Sequence, residues 1–123
     1  MREPIRDRGR LEHIMEAIGC ISDFVANNPL EEMPKDKILY FGLVKCVEII
    51  SEAAYKLSPQ FKAAHPETSW NIIEKMRHVL VHGYYQVNPE DVFSVIQNDL
   101  NPLREQIYRY LNETDWDKWN RQE

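Results

Sequence analysis

Glycine and cysteine are scarce in this chain, with four and two copies among 123 residues. So few glycines argue against a turn-rich all-β architecture, which needs them where the backbone turns through positive φ. Two cysteines, Cys20 and Cys46, are too few for a disulfide scaffold. Both fall among apolar residues in helical stretches, so they are expected as reduced core thiols and not as a disulfide or metal pair. A positive balance is missing as well: 15 Lys and Arg face 20 Asp and Glu, for a net charge of −5. The overall field does not attract nucleic acid, so any RNA contact must come from a local patch. The longest apolar run, Ile38 to Val44, is far shorter than the roughly 20 residues that span a bilayer. The opening Met1-Arg2-Glu3-Pro4-Ile5-Arg6 lacks the apolar stretch of a secretory signal, which gives the expectation of a cytoplasmic protein without membrane contact. No internal repeat or low-complexity linker is visible. The remaining composition, 43% hydrophobic and 28% charged, is that of a single globular domain over 1–123, long enough to bury a core.

Apolar spacing predicts helices throughout. Leu11, Ile14, Ile18, Ile21 and Val25 recur at three- and four-residue steps and predict a first helix from about Asp7 to Ala26, stopped by Asn27-Asn28-Pro29. Pro34 and Asp36 open a second, with Asp36 as its cap, running to about Leu57. Its wide apolar stripe includes Leu39, Leu43, Cys46, Val47, Ile50, Ala53, Ala54 and Leu57. Ser58-Pro59 ends it, and Phe61 to His65 reads as a short turn before Pro66. A third helix spans about Ser69 to His82, closed by Gly83. Asn88 as cap, Pro89 in the first turn and the acids Glu90 and Asp91 start a fourth helix. It carries Val92, Val95, Ile96, Leu100, Leu103, Ile107 and Leu111. Pro102 inside it predicts a kink or break near Asn101. From Thr114 the chain is polar except for Trp116 and Trp119, which could anchor a last short turn. The expected architecture is all-α: an antiparallel four-helix bundle with a core over about 7–111, a kinked last helix and a loose polar tail over 112–123.

Chemistry concentrates in Arg77-His78-Val79-Leu80-Val81-His82-Gly83-Tyr84. A fixed cation and a group titrating near neutrality, together at a helix end, can handle a phosphodiester. At 100° per residue, with Arg77 at 0°, Val81 falls at about 40°, Glu74 at 60°, His78 at 100° and His82 at 140°, while Ile72, Ile73, Met76, Val79 and Leu80 cluster between about 200° and 320°. The motif is therefore expected opposite the apolar stripe, facing solvent or a partner. Val81, apolar within that polar sector, is a candidate dimer contact. The bland alternative for Arg77 is a surface salt bridge to Glu74 or to an acid on a neighbouring helix. Glu74, His78 and His82 at four-residue steps could face one metal ion. That is a weak signal with no further ligand cluster, so no metal or other cofactor is expected. Four arginines, Arg2, Arg6, Arg8 and Arg10, stand at the start, either as an RNA contact or as a solvated arm.

Arg77, His82 and Tyr84 resemble the HEPN superfamily signature of arginine, four to six residues and histidine, and more closely its HepT toxin branch, where histidine, one residue and tyrosine follow. The likeness extends to Leu11-Glu12-His13-Ile14-Met15-Glu16-Ala17-Ile18, to Ile49-Ile50-Ser51-Glu52-Ala53-Ala54, to Trp70 through Met76, and to Val87-Asn88-Pro89-Glu90-Asp91-Val92. It covers roughly Asp7 to Leu111. One departure is His78, where the family often has asparagine. A histidine there can still donate to a phosphate, but its charge varies with pH.

The resemblance implies a metal-independent endoribonuclease toxin that works as a homodimer. It also implies an MntA-like nucleotidyltransferase antitoxin that silences the toxin by adenylylating the motif tyrosine, Tyr84. Arg77 and His82 would then be catalytic, His78 a supporting phosphate contact and Glu52 a site-adjacent acid, with Tyr85 the neighbouring rival for modification. Attack by a 2′-hydroxyl would select RNA over DNA. The competing reading is a non-catalytic helical adaptor that presents a surface or substrate to the nucleotidyltransferase.

Overall fold

A computed structural model describes residues 6–82 and 88–122, with the backbone alone at 33, 34, 79, 81, 82 and 122. All regular structure among them is helical: α1 (Asp7–Asn27), a 3₁₀ turn (Leu30–Lys35), α2 (Lys37–Tyr55), α3 (Pro59–Ala64), α4 (Trp70–His82), α5 (Pro89–Ser94), a π-turn (Val95–Asp99), α6 (Leu100–Glu113) and α7 (Trp116–Gln122). The starts follow from side chains that satisfy orphan N–H groups. Asp36 accepts from the backbone N–H of Ile38 and Leu39 at 3.1 and 3.2 Å, and Asn88 from that of Glu90 at 2.9 Å. The expected turn at Phe61–His65 is instead α3, which begins two residues earlier. Ser58 caps it, accepting from Phe61 N at 3.1 Å, and Pro59 fills its first turn.

The long helices form the expected antiparallel bundle. The start of α1 meets the end of α2, where Asp7 accepts from Ser58, while Cys20, Ile21 and Phe24 near its other end share a cavity with Ile38, Leu39, Leu43 and Cys46. The start of α4 likewise meets the end of α6, where the Thr68 hydroxyl just before α4 reaches Gln106 and Tyr110. Leu11, Ile14, Ile18, Val47, Ile50, Ala54, Phe61 and Ile107 are fully buried between them. Among the described residues no helix is long and apolar enough to cross a membrane.

The expected kink takes a specific form. Pro102 has no N–H to give, and its ring would crowd the carbonyl of Asn98 in a regular helix. The chain widens just before it: Leu100 N–H reaches back to Val95 O, a five-residue step. This π-turn keeps the helical path unbroken from Pro89 to Glu113, and it begins earlier than the break expected near Asn101.

Two expectations are corrected. The C-terminal stretch is not a loose tail but α7, docked on the bundle with Trp116 buried. Phe61, wholly enclosed, explains this. Trp116 stacks on it (centroids 6.1 Å apart, planes at 12°), and Trp119, Trp70 and Tyr110 meet it edge-on. Such rings hold one another by apolar area and by edge-to-face electrostatics. The Trp119 indole N–H also donates to the buried Asp7 carboxylate at 3.0 Å. The second correction concerns the cysteines. Cys20 is exposed and Cys46 only partly buried, so neither is a core residue. Burial first, and the neighbouring Cys20 second, push the Cys46 thiol up, which keeps it protonated.

Candidate functional site

Arg77 lies midway along α4, and its neighbours come from α2. Its Nε donates to Glu52 Oε2, and its guanidinium lies over the Tyr55 ring, 4.5 Å from the centroid. Glu52 and Tyr55 are three apart on α2, hence on one face. Lys56 adds a second cation at 3.4 Å from Glu52. The Arg77 hydrogen bond outweighs the partial burial of Glu52 and holds its carboxyl below the usual carboxylate range, with Lys56 contributing less. Glu52 in turn holds Arg77 still more firmly protonated. Because the Glu52 pKa is depressed, this contact is intact at neutral pH and is lost only as pH falls through the lowered value.

The ion pair to a neighbouring helix is therefore with Glu52 and not with Glu74. Glu74 is taken by Lys62 of α3, which bonds its carboxylate. The packed side of α4 is also turned from its expected position. Leu80 is buried, Ile73, Met76, Glu74 and Arg77 are partly covered, and Ile72, expected on the apolar stripe, is 69% exposed. Arg77, at 28% side-chain exposure, thus sits at the edge of the packed face and not opposite it. Trp70, at the start of the same helix, is buried on that side, and Arg77 is bound to α2. His78, the next residue, is exposed.

Of the expected site residues, the structure brings Arg77 and Glu52 into contact, and His78 follows Arg77 on α4. His82 is the last residue of α4, five positions beyond Arg77, and Val81 precedes it. Their side chains lie outside the described residues, as do Gly83, Tyr84 and Tyr85. Two residues not expected at the site complete it: Tyr55 beneath Arg77, and Lys56 on Glu52. Their recurrence with Glu52 at three- and four-residue steps on α2 was the available signal.

The guanidinium is arranged to grip an anion. Arginine has five N–H donors in one plane. Glu52 engages Nε and Tyr55 covers one face, and among the described residues no hydrogen bond engages the two terminal nitrogens, which can form an end-on fork with phosphate oxygens.

The outer face of α2 continues this site. Ile38 is 83% exposed, Phe41 60%, Tyr55 52% and Ile49 39%. At 100° per residue these four share a sector of about 120°. Lys45 and Glu48, paired at 3.2 Å, lie within that sector together with Glu52 and Lys56.

Comparison with known proteins agrees with this architecture. The family model described as "Ribonuclease HepT-like" matches residues 14–110. The "Probable ribonuclease HepT" of Thermococcus cleftensis is 33% identical over 94 residues, which cover 76% of this chain and 86% of that protein. A protein of Caldanaerobacter subterraneus subsp. tengcongensis, provisionally named an RNase, is 31% identical over 104 residues, 85% of this chain and 93% of its own. A longer Methanocaldococcus jannaschii protein, named as a gamma-glutamylcyclotransferase and provisional RNase, is 27% identical over 111 residues, 90% of this chain and 50% of its own. No solved structure matches. The chain belongs to the HepT-like ribonuclease family.

Proposed function

We propose that this protein is a metal-independent endoribonuclease toxin whose site is completed by pairing two copies. The carrying observation is the Arg77 guanidinium, fixed by Glu52 and Tyr55 with its terminal nitrogens left for a phosphate. In this reading those nitrogens bind the scissile phosphodiester and stabilise the charge that builds on its oxygens. His82 moves the proton, as base toward the 2′-hydroxyl or as acid toward the leaving 5′ oxygen. The O2′–P bond forms and the P–O5′ bond breaks, giving a 2′,3′-cyclic phosphate and a 5′-hydroxyl. His78 supplies a supporting phosphate contact.

The family named above supports the ribonuclease class. The exposed apolar stripe of α2, continuous with Glu52 and Tyr55, supports a homodimer, with Val81 a further contact. RNA is the substrate and DNA is not, because the attacking hydroxyl is absent from DNA. A nucleotidyltransferase antitoxin is the proposed second partner. It would join the Tyr84 phenol oxygen to the α-phosphorus of ATP and release pyrophosphate. The added anion would occupy Arg77 and block RNA.

The test is cleavage of RNA by the purified protein in the presence of a chelator, repeated with Arg77→Gln and His82→Ala. Cleavage is expected to survive chelation and to fall at least a hundredfold in each variant. Equal cleavage by the wild type and both variants would remove the proposed mechanism.

A further inference from the structure

A second cationic feature lies beside this site and is not explained by it. Arg10 and His13 on α1, three residues apart, and Lys45 across from them on α2 line a small groove of 130 Å³ together with Glu48, Ile49, Glu52 and Ala53. Of the arginines at the chain start, Arg6 donates to the Asn120 carbonyl at 3.3 Å and Arg8 pairs with Glu12 at 3.5 Å. Arg10 differs. Its Nε is buried with no hydrogen-bond partner among the described residues. A buried N–H left without an acceptor is costly, and a charged one more so.

The two carboxylates of the groove do not fill that role. Glu48 is bound by Lys45 at 3.2 Å, and Glu52 by Arg77 and by Lys56 at 3.4 Å. Among the described residues Arg10 is therefore surplus positive charge, with the His13 imidazole beside it in the groove. In a chain of net charge −5, a surplus cation around a small groove calls for an anion as its missing partner. The Lys45 side chain is 64% exposed and that of Glu48 25%, one turn apart on a helix, so the Lys45 ammonium can reach an incoming anion while staying beside Glu48.

We infer that this groove is a phosphate subsite, in which Arg10, His13 and Lys45 hold a backbone phosphodiester of the RNA strand next to the one gripped by Arg77. The inference rests on the ribonuclease reading. It follows from position: Glu52 lines the groove and also binds Arg77, so an anion in the groove and one on Arg77 are neighbours along one surface. The groove holds no aromatic platform for a base, so it reads the backbone and not the sequence.

The test measures binding of a short fluorescein-labelled single-stranded RNA, 2′-O-methylated so that it cannot be cut, by anisotropy over a range of potassium chloride concentrations. Each phosphate contact on a single strand contributes a slope of about 0.7 to log affinity against log salt. Arg10→Gln is expected to weaken binding roughly tenfold at low salt and to lower the slope by about 0.7. Adding Lys45→Gln should lower it by about 0.7 again, while Arg10→Lys keeps the wild-type slope. A role in folding alone would not move the slope, and Lys45→Gln carries the test by itself where Arg10→Gln fails to fold. An unchanged slope in the double variant, with RNA still bound, overturns the subsite and leaves the ribonuclease reading standing. A wild type that neither binds this RNA nor cuts its unmethylated form overturns both.

Discussion

Replacing Asp7 with asparagine tests how α7 and the first turn of α1 are held. The carboxylate is 3% exposed and accepts three hydrogen bonds: Ser58 N–H at 2.8 Å on one oxygen, and Ser58 O–H at 2.6 Å with Trp119 Nε1–H at 3.0 Å on the other. Asparagine keeps the shape but turns one acceptor into a donor. In either orientation of the amide, at least one buried N–H then faces another donor. Leaving a buried donor unmet costs about 1–3 kcal/mol, and the negative charge in the first turn of α1 contributes about 0.3–1 kcal/mol more. The sum is about 1–4 kcal/mol, with its middle at about 2–3 kcal/mol. For a domain of this size each kcal/mol moves Tm by roughly 4 °C, so Asp7→Asn should melt about 8–12 °C below the wild type. Circular dichroism at the helical band gives the melt, and Trp119 fluorescence together with limited proteolysis of the C-terminal segment reports on α7. A Tm within about 2 °C of the wild type, or undiminished protection of α7, would refute the reasoning. Arg10 lies one turn further along α1, so a frayed first turn should also soften the proposed phosphate groove.

Other outcomes follow from particular contacts. Phe41→Ser with Ile38→Ser on α2 should shift the protein from dimer to monomer in sedimentation and lower RNA cleavage, since both side chains are exposed in one copy and the loss is of partner contact. Co-expression with a cognate nucleotidyltransferase should add adenylyl mass to the wild type in intact mass spectrometry and none to Tyr84→Phe; mass retained by the variant would move the modification to Tyr85 or elsewhere. The buried Tyr110 hydroxyl is pushed up to about 12, chiefly by burial. A phenol that stays protonated when folded but ionises near its ordinary value when unfolded destabilises the fold as pH rises between the two. The unfolding free energy from denaturant titrations should therefore fall from about pH 10 upward, by up to about 2–3 kcal/mol, and less so in Tyr110→Phe.

Local chemistry made much of the bundle legible. The caps Asp36 and Asn88, the apolar stripe of α1 and the effect of Pro102 are all properties of a few adjacent residues. What stayed hidden depends on contacts between distant segments. Ile72 falls on the apolar side of an isolated α4, yet it is exposed, while Trp70 and Leu80 are buried and Arg77 is bound to Glu52 on α2. Trp116 and Trp119 read as two aromatics in a polar tail because their partners, Phe61 and Asp7, lie far away in sequence. Cys20 was misjudged for a similar reason, since its apolar neighbours in sequence do not enclose it in space. At the site, the arginine-to-histidine spacing pointed to α4, but Tyr55 beneath Arg77 and the buried Arg10 Nε, without a hydrogen-bond partner among the described residues, depend on contacts between helices.

The π-turn has a consequence for comparing sequences. Helical chain running continuously from Pro89 to Glu113 is where an alignment program is least inclined to place a gap. A five-residue step holds one residue more than an ordinary turn, and that residue leaves no loop behind. A relative without it would be one residue shorter between the Asn88 cap and Ile107, and an ungapped alignment would then set its core positions against this chain's surface positions. The place for that gap is between Val95 and Asp99, inside what looks like a uniform helix.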